Sequence, residues 1–285
     1  MTQNSDPLAK YYRQPQIYIK LPSRGRYYDQ TVFTPTETGE IPVLPMTAKD
    51  ELAFKTPDAM ISGQATVDVI KSCLPNFKDP WKMVNYDTDI VLMAIRIATY
   101  GETMDINFNV PVTNEASSTT LNIPAMLEDL SRIDIKDEAT TTGGFKIKIN
   151  PLTYQDLTKV STAQFEQQKI YTTVANSTLT DEQKSVQFIK SFKALNNINF
   201  DMLVQSITEI TTPEGHTVTD SGKIKDFCDN CEAKLINEIQ DLLADVRTQA
   251  QLKPIKLKAT EEQIKKGVPA TYEVPVTFDN SNFFG

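Results

Sequence analysis

A lone histidine and one closely spaced cysteine pair are the residues of this 285-residue chain best suited to chemistry. His216 stands in PEGHTVTD, and an imidazole that titrates near neutrality is the usual general base or partner of a thiolate. Cys228 and Cys231 in FCDNCEAKL have the C-x-x-C spacing of a redox pair or of half a zinc site. A small soluble hydrolase or thiol enzyme using His216 or Cys228/Cys231 is therefore the catalytic reading of the chain. The surroundings argue against it. One histidine removes any multi-histidine metal site, no G-x-S-x-G accompanies it, and the second C-x-x-C of a zinc ribbon is missing. Ile224, Phe227, Cys231, Leu235 and Ile239 recur at helical spacing, so the cysteines are expected as helix side chains, one buried and one partly exposed. His216 is expected in a surface turn, and Cys73, within ATVDVIKSCL, as a core thiol. No catalytic residue, cofactor or metal is assigned.

The carboxylates do not converge either: the DTD and EDL pairs sit at helix starts, where the helix dipole accounts for them. Lysine and arginine number 29 against 37 acids, a formal charge of −8 that repels a phosphate backbone, so nucleic acid is not an expected partner. No apolar run is long enough to cross a bilayer and the first residues lack the apolar stretch of a signal peptide. Residence in the cytoplasm, with reduced thiols, is the expectation. The 40% hydrophobic and 23% charged composition is that of an ordinary soluble fold rather than a disordered chain.

The elements that must position these residues read as an α+β fold, a helical core with small antiparallel hairpins. Ile17, Ile19 and Leu21 alternate with polar residues as a half-buried strand does, and the prolines of IPVLP keep residues 41–45 extended. Thr47 then caps a short helix that ends at KTP, with Pro57 starting another; ATVDVIKSCL is helical. DTDIVLMAIRIATYG is the most strongly helical run, capped by Asp87 or Thr88 and closed by Gly101. Met104 to Val112 alternate as a strand, NEASSTT is read as a turn, and TLNI as the return strand. From Tyr154 to about Gln251 the chain is read as mostly helical, FDMLVQSITEI included, with caps at Thr153, Thr180 and Ser221. The remainder is strand-rich.

Two junctions share a pattern. Pro45, Thr47 and Asp50 match Pro151, Thr153 and Asp156 at an offset of 106 (153 − 47), and VPVT occurs at 110–113 and 274–277. An internally duplicated strand–helix–hairpin unit follows as a hypothesis, with an N-terminal α+β half over 1–140 and a predominantly helical half with a strand-rich tail over 141–285. On this reading Thr47 and Thr153 cap helices and do not catalyse.

For partners, the adjacent Phe283 and Phe284 in DNSNFFG are the clearest signal, because exposed they leave about 1.5–3 kcal/mol each of burial unrealised. Docking on the protein's own body and docking on a neighbouring subunit both satisfy them. Tyr27 and Tyr28 are further candidate contacts, as is Trp81, for which core packing is favoured.

LPSRGRYYD, IPVLPMTAKDEL, IKSCLPN, IRIATYGETMDINFNV and FDNSNFF, in that order, resemble the T4-type baseplate hub subunit or hub assembly protein family of contractile-tailed bacteriophages. The resemblance covers the first 130 residues best, the helical middle weakly, and the last 15 again. It implies a non-enzymatic part in building the central hub through contacts with other baseplate or tail proteins, either as a permanent virion subunit or as an assembly chaperone that leaves before maturation. It also implies a late protein found in the host cytoplasm during assembly and, if it is a permanent subunit, in the tail baseplate. Related proteins carry a C-P-x-C-G knuckle after the YG strand, where this chain has VPVTNE, so metal-free folding is expected.

Overall fold

The computed structural model describes residues 7–54, 62–175, 179–249 and 252–276. Strands β1 (Ile17–Ile19) and β2 (Ile41–Val43) pair antiparallel, Ile17 opposite Val43, with Pro42 opposite Tyr18 on a two-stranded ribbon where its missing N–H costs nothing. Helices α1 (Ala48–Phe54) and α2 (Gln64–Cys73) follow. α3 (Asn85–Tyr100) is the central element: Ile90, Met93, Ala94 and Ile95 are fully buried, and Gly101 at φ +95 closes it. β3 (Thr103–Asn109) and β4 (Ala116–Asn122) form a long hairpin, and α4 (Ile123–Ser131) is capped by Asn122, which accepts from the Ala125 amide.

A second series repeats the opening theme. β5 (Glu138–Thr140) pairs with β6 (Lys146–Ile149), and the long antiparallel helices α5 (Tyr154–Ala175) and α6 (Asp181–Ser206) follow. β7 (Ile207–Thr211) and β8 (Thr217–Val218) complete a four-stranded sheet in the order β5-β6-β7-β8. α7 (Ser221–Asn230) and α8 (Ala233–Gln249) cover it, and β9 (Ile255–Lys258), α9 (Glu261–Lys265) and β10 (Thr271–Val274) end the described chain.

Two hydrophobic clusters hold these elements. The first gathers β1 to α4 around α3 and takes in Val268, Tyr272, Val274 and Val276 from the C-terminal strands. The second joins Val84 and Tyr86 to Ile147 and Ile149 of β6, Leu203 and Val204 of α6, Ile224 and Cys228 of α7, and Ile239 and Val246 of α8. Tyr28 and Ile133 pack against both.

Several sequence expectations are corrected. Ile207–Thr211 is strand, because a run of β-branched residues finds β6 as its partner and the helix stops at Ser206. The helical stretch expected to run on from Ile224 is two helices, broken after Asn230 and followed to Gln249. Asp220, one residue before Ser221, caps α7 by accepting from the Lys223 amide at 2.9 Å. α3 starts at Asn85, so Asp87 lies inside its first turn rather than at its cap. The β3–β4 turn is VPVTNE and not NEASSTT, since the serines and threonines of β4 pair residue for residue with β3. The two VPVT copies are not equivalent: Val112 is exposed at φ +72 in that turn, whereas Val274 and Val276 are buried at the end of β10. Pro57 lies outside the described residues.

The two threonine junctions carry the same bonds. At the first, the Asp50 carboxylate accepts from the Thr47 amide (2.7 Å) and hydroxyl (2.8 Å), while the Asp50 amide donates back to Thr47 Oγ1 (3.3 Å). At the second, Asp156 accepts from the Thr153 amide (3.1 Å) and hydroxyl (2.6 Å), and its amide returns to Thr153 Oγ1 (3.2 Å). Each is a reciprocal cap that occupies helix N-terminal donors. The strand ends are tied alike: the Leu44 amide donates to the carbonyl of Cys73, the last residue of α2, and the Asn150 amide to that of Ser206, the last residue of α6.

The first junction has an addition. Arg13 lies across it, donating through Nη1 to the Pro45 carbonyl (2.7 Å) and the Asp50 carboxylate (3.4 Å), and through Nη2 to the Ser72 carbonyl (2.8 Å) and hydroxyl (2.9 Å). With Arg13 in place Asp50 is buried. Arg13→Met is expected to cost about 2–3 kcal/mol by leaving charge-assisted bonds unmade. In urea denaturation, Asp50→Asn should recover part of that loss in the double variant, and strict additivity of the two substitutions would contradict the coupling.

Candidate interaction surface

The residues best suited to chemistry are kept apart or muted. His216 is exposed in the β7–β8 turn, where its amide donates to Thr212 Oγ1 and its carbonyl accepts from the Thr212 amide, as expected for a surface turn. Cys228 is buried in the second core beside Ile224, and burial pushes its thiol up to about 11. Cys231 is partly exposed and is also raised by burial, but it is the residue at which α7 ends rather than a helix side chain. Cys73 is a fully buried core thiol, pushed up to about 12 by burial and then by the Asp50 charge. Raised thiols are poor nucleophiles near neutrality. Among the described residues no group of three or more histidine, cysteine, aspartate or glutamate side chains could hold a metal ion.

One carboxylate stands out. Asp87 is fully buried in the first turn of α3, accepting from the Ser23 amide at 3.1 Å and from the Tyr28 hydroxyl at 2.6 Å. Burial raises its pKa to about 6 against the opposing pull of those donors. Both oxygens are thus engaged in tying residues 23–28 to the helix. The bonds are those of an anchor for the N-terminal segment.

The expected aromatic contacts are occupied within the chain. Tyr28 is partly buried; its oxygen also accepts from the Val84 amide at 3.0 Å, and its ring meets Phe33 and Phe77 edge-on. Tyr27 donates to Asp137 at 2.7 Å and packs edge-on against Tyr86 in the second core. Trp81 is half-buried with its ring 5.7 Å from that of Tyr154. Phe283 and Phe284 lie outside the described residues.

A further exposed apolar surface lies on the α5–α6 pair. Contacts along the pair include the ring of Tyr171 against that of Phe188 at 4.5 Å and a hydrogen bond from Ser191 to Gln167. Beyond that seam, Phe165 (55%), Val186 (63%), Ile189 (54%) and Phe192 (67%) stand open to solvent, and Tyr171 at the seam keeps 58% of its surface exposed. Val186, Ile189 and Phe192 recur every third residue and so lie along one side of α6. Sequence reading missed this surface because polar and apolar residues are mixed around both helices and no clean stripe announces a second face. The signal present was the density of phenylalanine, tyrosine and isoleucine in two runs too polar to be core.

A second feature lies at the base of the same pair. A polar cavity of about 160 Å³ is lined by Pro151, Thr153 and Asp156 at the start of α5, Gln205 and Ser206 at the end of α6, and Lys82.

The chain matches the family model described as T4 bacteriophage base plate protein over residues 15–279. It therefore belongs to that family and is a structural protein of the phage tail baseplate, whose expected company is other baseplate proteins. Neither the curated proteins nor the solved structures contain a match. Among the described residues no helix is long and apolar enough to cross a membrane.

Asp87 supplies a pH test of its anchoring role. Its folded pKa, about 6, lies above the ordinary 3.8, so the native state holds a proton over that interval that the unfolded chain has released. The associated stability is present below pH 4 and lost as pH rises through 6, by about 3 kcal/mol in all. Urea midpoints measured from pH 4 to pH 7 should show this fall, and Asp87→Asn should flatten it. An unchanged slope in the variant would assign the pH dependence elsewhere.

Proposed function

We propose that the protein is a non-enzymatic component of the central hub of the baseplate and acts in its assembly or structure by matching surfaces with neighbouring hub and tail proteins. The observation that carries the reading is the α5–α6 pair, which offers exposed phenylalanine, tyrosine, valine and isoleucine in a chain of baseplate membership. Apolar surface of this kind on a soluble protein marks an interaction site. The hairpins around residues 17–45 and 104–123, Tyr27 and Tyr28, and Phe283 and Phe284 are further contacts of the same reading. The protein acts in the host cytoplasm during assembly and then in the virion tail.

Ile189→Asp with Phe192→Asp tests the surface. Both positions are more than half exposed, so thermal stability should change by no more than about 0.5 kcal/mol. Incorporation into baseplates, scored in infected cells that supply only the variant, should fall at least about tenfold, the effect of losing one anchor side chain. Normal baseplates from a folded double variant would overturn the assignment of this surface. The non-enzymatic reading is tested by His216→Ala with Cys228→Ala and Cys231→Ala, which should complement infection normally. Truncation before residue 279 reports separately on the phenylalanine tip.

A further inference from the structure

The two threonine junctions are matched in their bonds but differ in what fills them. At the first, the guanidinium of Arg13 meets the Pro45 carbonyl, the Asp50 carboxylate, and the carbonyl and hydroxyl of Ser72, with Cys73 Sγ at 3.8 Å. The offset of 106 that aligns the junctions carries Pro45 to Pro151 and Asp50 to Asp156. The paired bonds Leu44 to Cys73 and Asn150 to Ser206 carry Cys73 to Ser206, and hence Ser72 to Gln205. All four counterparts, Pro151, Asp156, Gln205 and Ser206, line the 160 Å³ cavity.

The chain does not fill that cavity in the same way. The β1–β2 register sets Ile17 opposite Val43 and Tyr18 opposite Pro42, as β5–β6 sets Glu138 opposite Lys148. This aligns Arg13 with Ile133, which packs into the cores. The segment ahead of β5 turns instead towards α8, where the Lys136 amide donates to Gln249 at 2.9 Å. The hydrogen bonds received by the Asp156 carboxylate come from Thr153, and Asp156 is less buried than Asp50. Lys82, the only cation among the lining residues, is exposed, and no ion pair joins it to Asp156.

We infer that this cavity is a socket for an arginine side chain presented by an extended segment of a neighbouring baseplate protein, which completes the second junction in trans as Arg13 completes the first in cis. The acceptors available are a carboxylate, a main-chain carbonyl, an amide side chain and a hydroxyl. Their first-junction counterparts already hold a guanidinium, whose planar fork of donors suits spread acceptors better than the compact ammonium of lysine. The family of the partner rests on the baseplate reading; the chemistry of the socket does not.

The test uses the purified full chain and acetyl-arginine methylamide as probe, read from the backbone amide resonances of Thr153, Asp156 and Ser206. Saturable shifts at these three are expected. The neutral isostere acetyl-citrulline methylamide, or the variant Asp156→Asn in a chain with an unchanged melting midpoint, should weaken binding by about tenfold or more. Shifts that do not saturate, or that are equal for citrulline or for Asp156→Asn, would overturn the socket. Gln205→Lys places a cation at the socket in cis, and is expected to abolish the probe response and block incorporation into baseplates. Loss of the probe response with normal incorporation would overturn the partner's arginine while leaving the proposed α5–α6 contact to its own aspartate test.

Discussion

The turn from strand to helix, closed by a threonine and an aspartate bonded to each other, is the constraint on which the rest of this fold depends. A strand that ends in Pro-x-Thr has left its ladder, and the helix that begins at once has amides with no partner inside it. Thr47 with Asp50 and Thr153 with Asp156 satisfy donors on both sides of the turn, so the chain changes direction without burying an orphan group. Each turn is also pinned to the far end of a helical hairpin through the Leu44 and Asn150 amides. A strand, a turn and two helices are thereby locked into one unit, and the two cores form where those units meet α3 and the four-stranded sheet.

What was legible in the sequence follows from whether the determining contact is local. Thr47, Thr153, Thr180 and Gly101 act within a few residues of themselves, and each lies where its type implies. The errors fall where long-range pairing outvoted local preference. Nothing within FDMLVQSITEI stops a helix except the β-branched run itself, and the deciding partner, β6, lies about sixty residues upstream. Asp87 was read as a helix cap because an aspartate before an apolar run is usually one; Ser23 and Tyr28, which bind it instead, are 64 and 59 residues away. Arg13 gave no sequence signal, since its acceptors span residues 45 to 73 and become one site only after folding.

Burial also shapes what the cysteines contribute. A thiol gains nucleophilic use from nearby positive charge or a helix N-terminus, and a core position works the other way by penalising the thiolate. Cys73 and Cys228 are pushed up by burial first and by neighbouring negative charge or thiol next, while His216 sits in a solvent-exposed turn. Cys73 and Cys228 pack in the two cores, Cys228 in the same cluster as Ile224 and the isoleucines of β6.

Between the matched units the difference lies in closure. In the first, the segment before β1 folds back, the arginine it carries covers the aspartate, and α1 is a single short helix of seven residues. In the second, the segment before β5 is drawn to α8, the aspartate is left less covered, and the helices lengthen to 22 and 26 residues with aromatic side chains facing water. Such extension adds little to the core, because the exposed positions of α5 and α6 bury only part of their apolar area within the chain and still carry the entropy of ordering. A helical pair held at its base by the same cap, yet displaying phenylalanine along its length, leaves apolar surface whose further burial would be favourable. The first unit thus closes its junction with its own Arg13, whereas the second leaves Asp156 less covered and sets exposed aromatic side chains along α5 and α6.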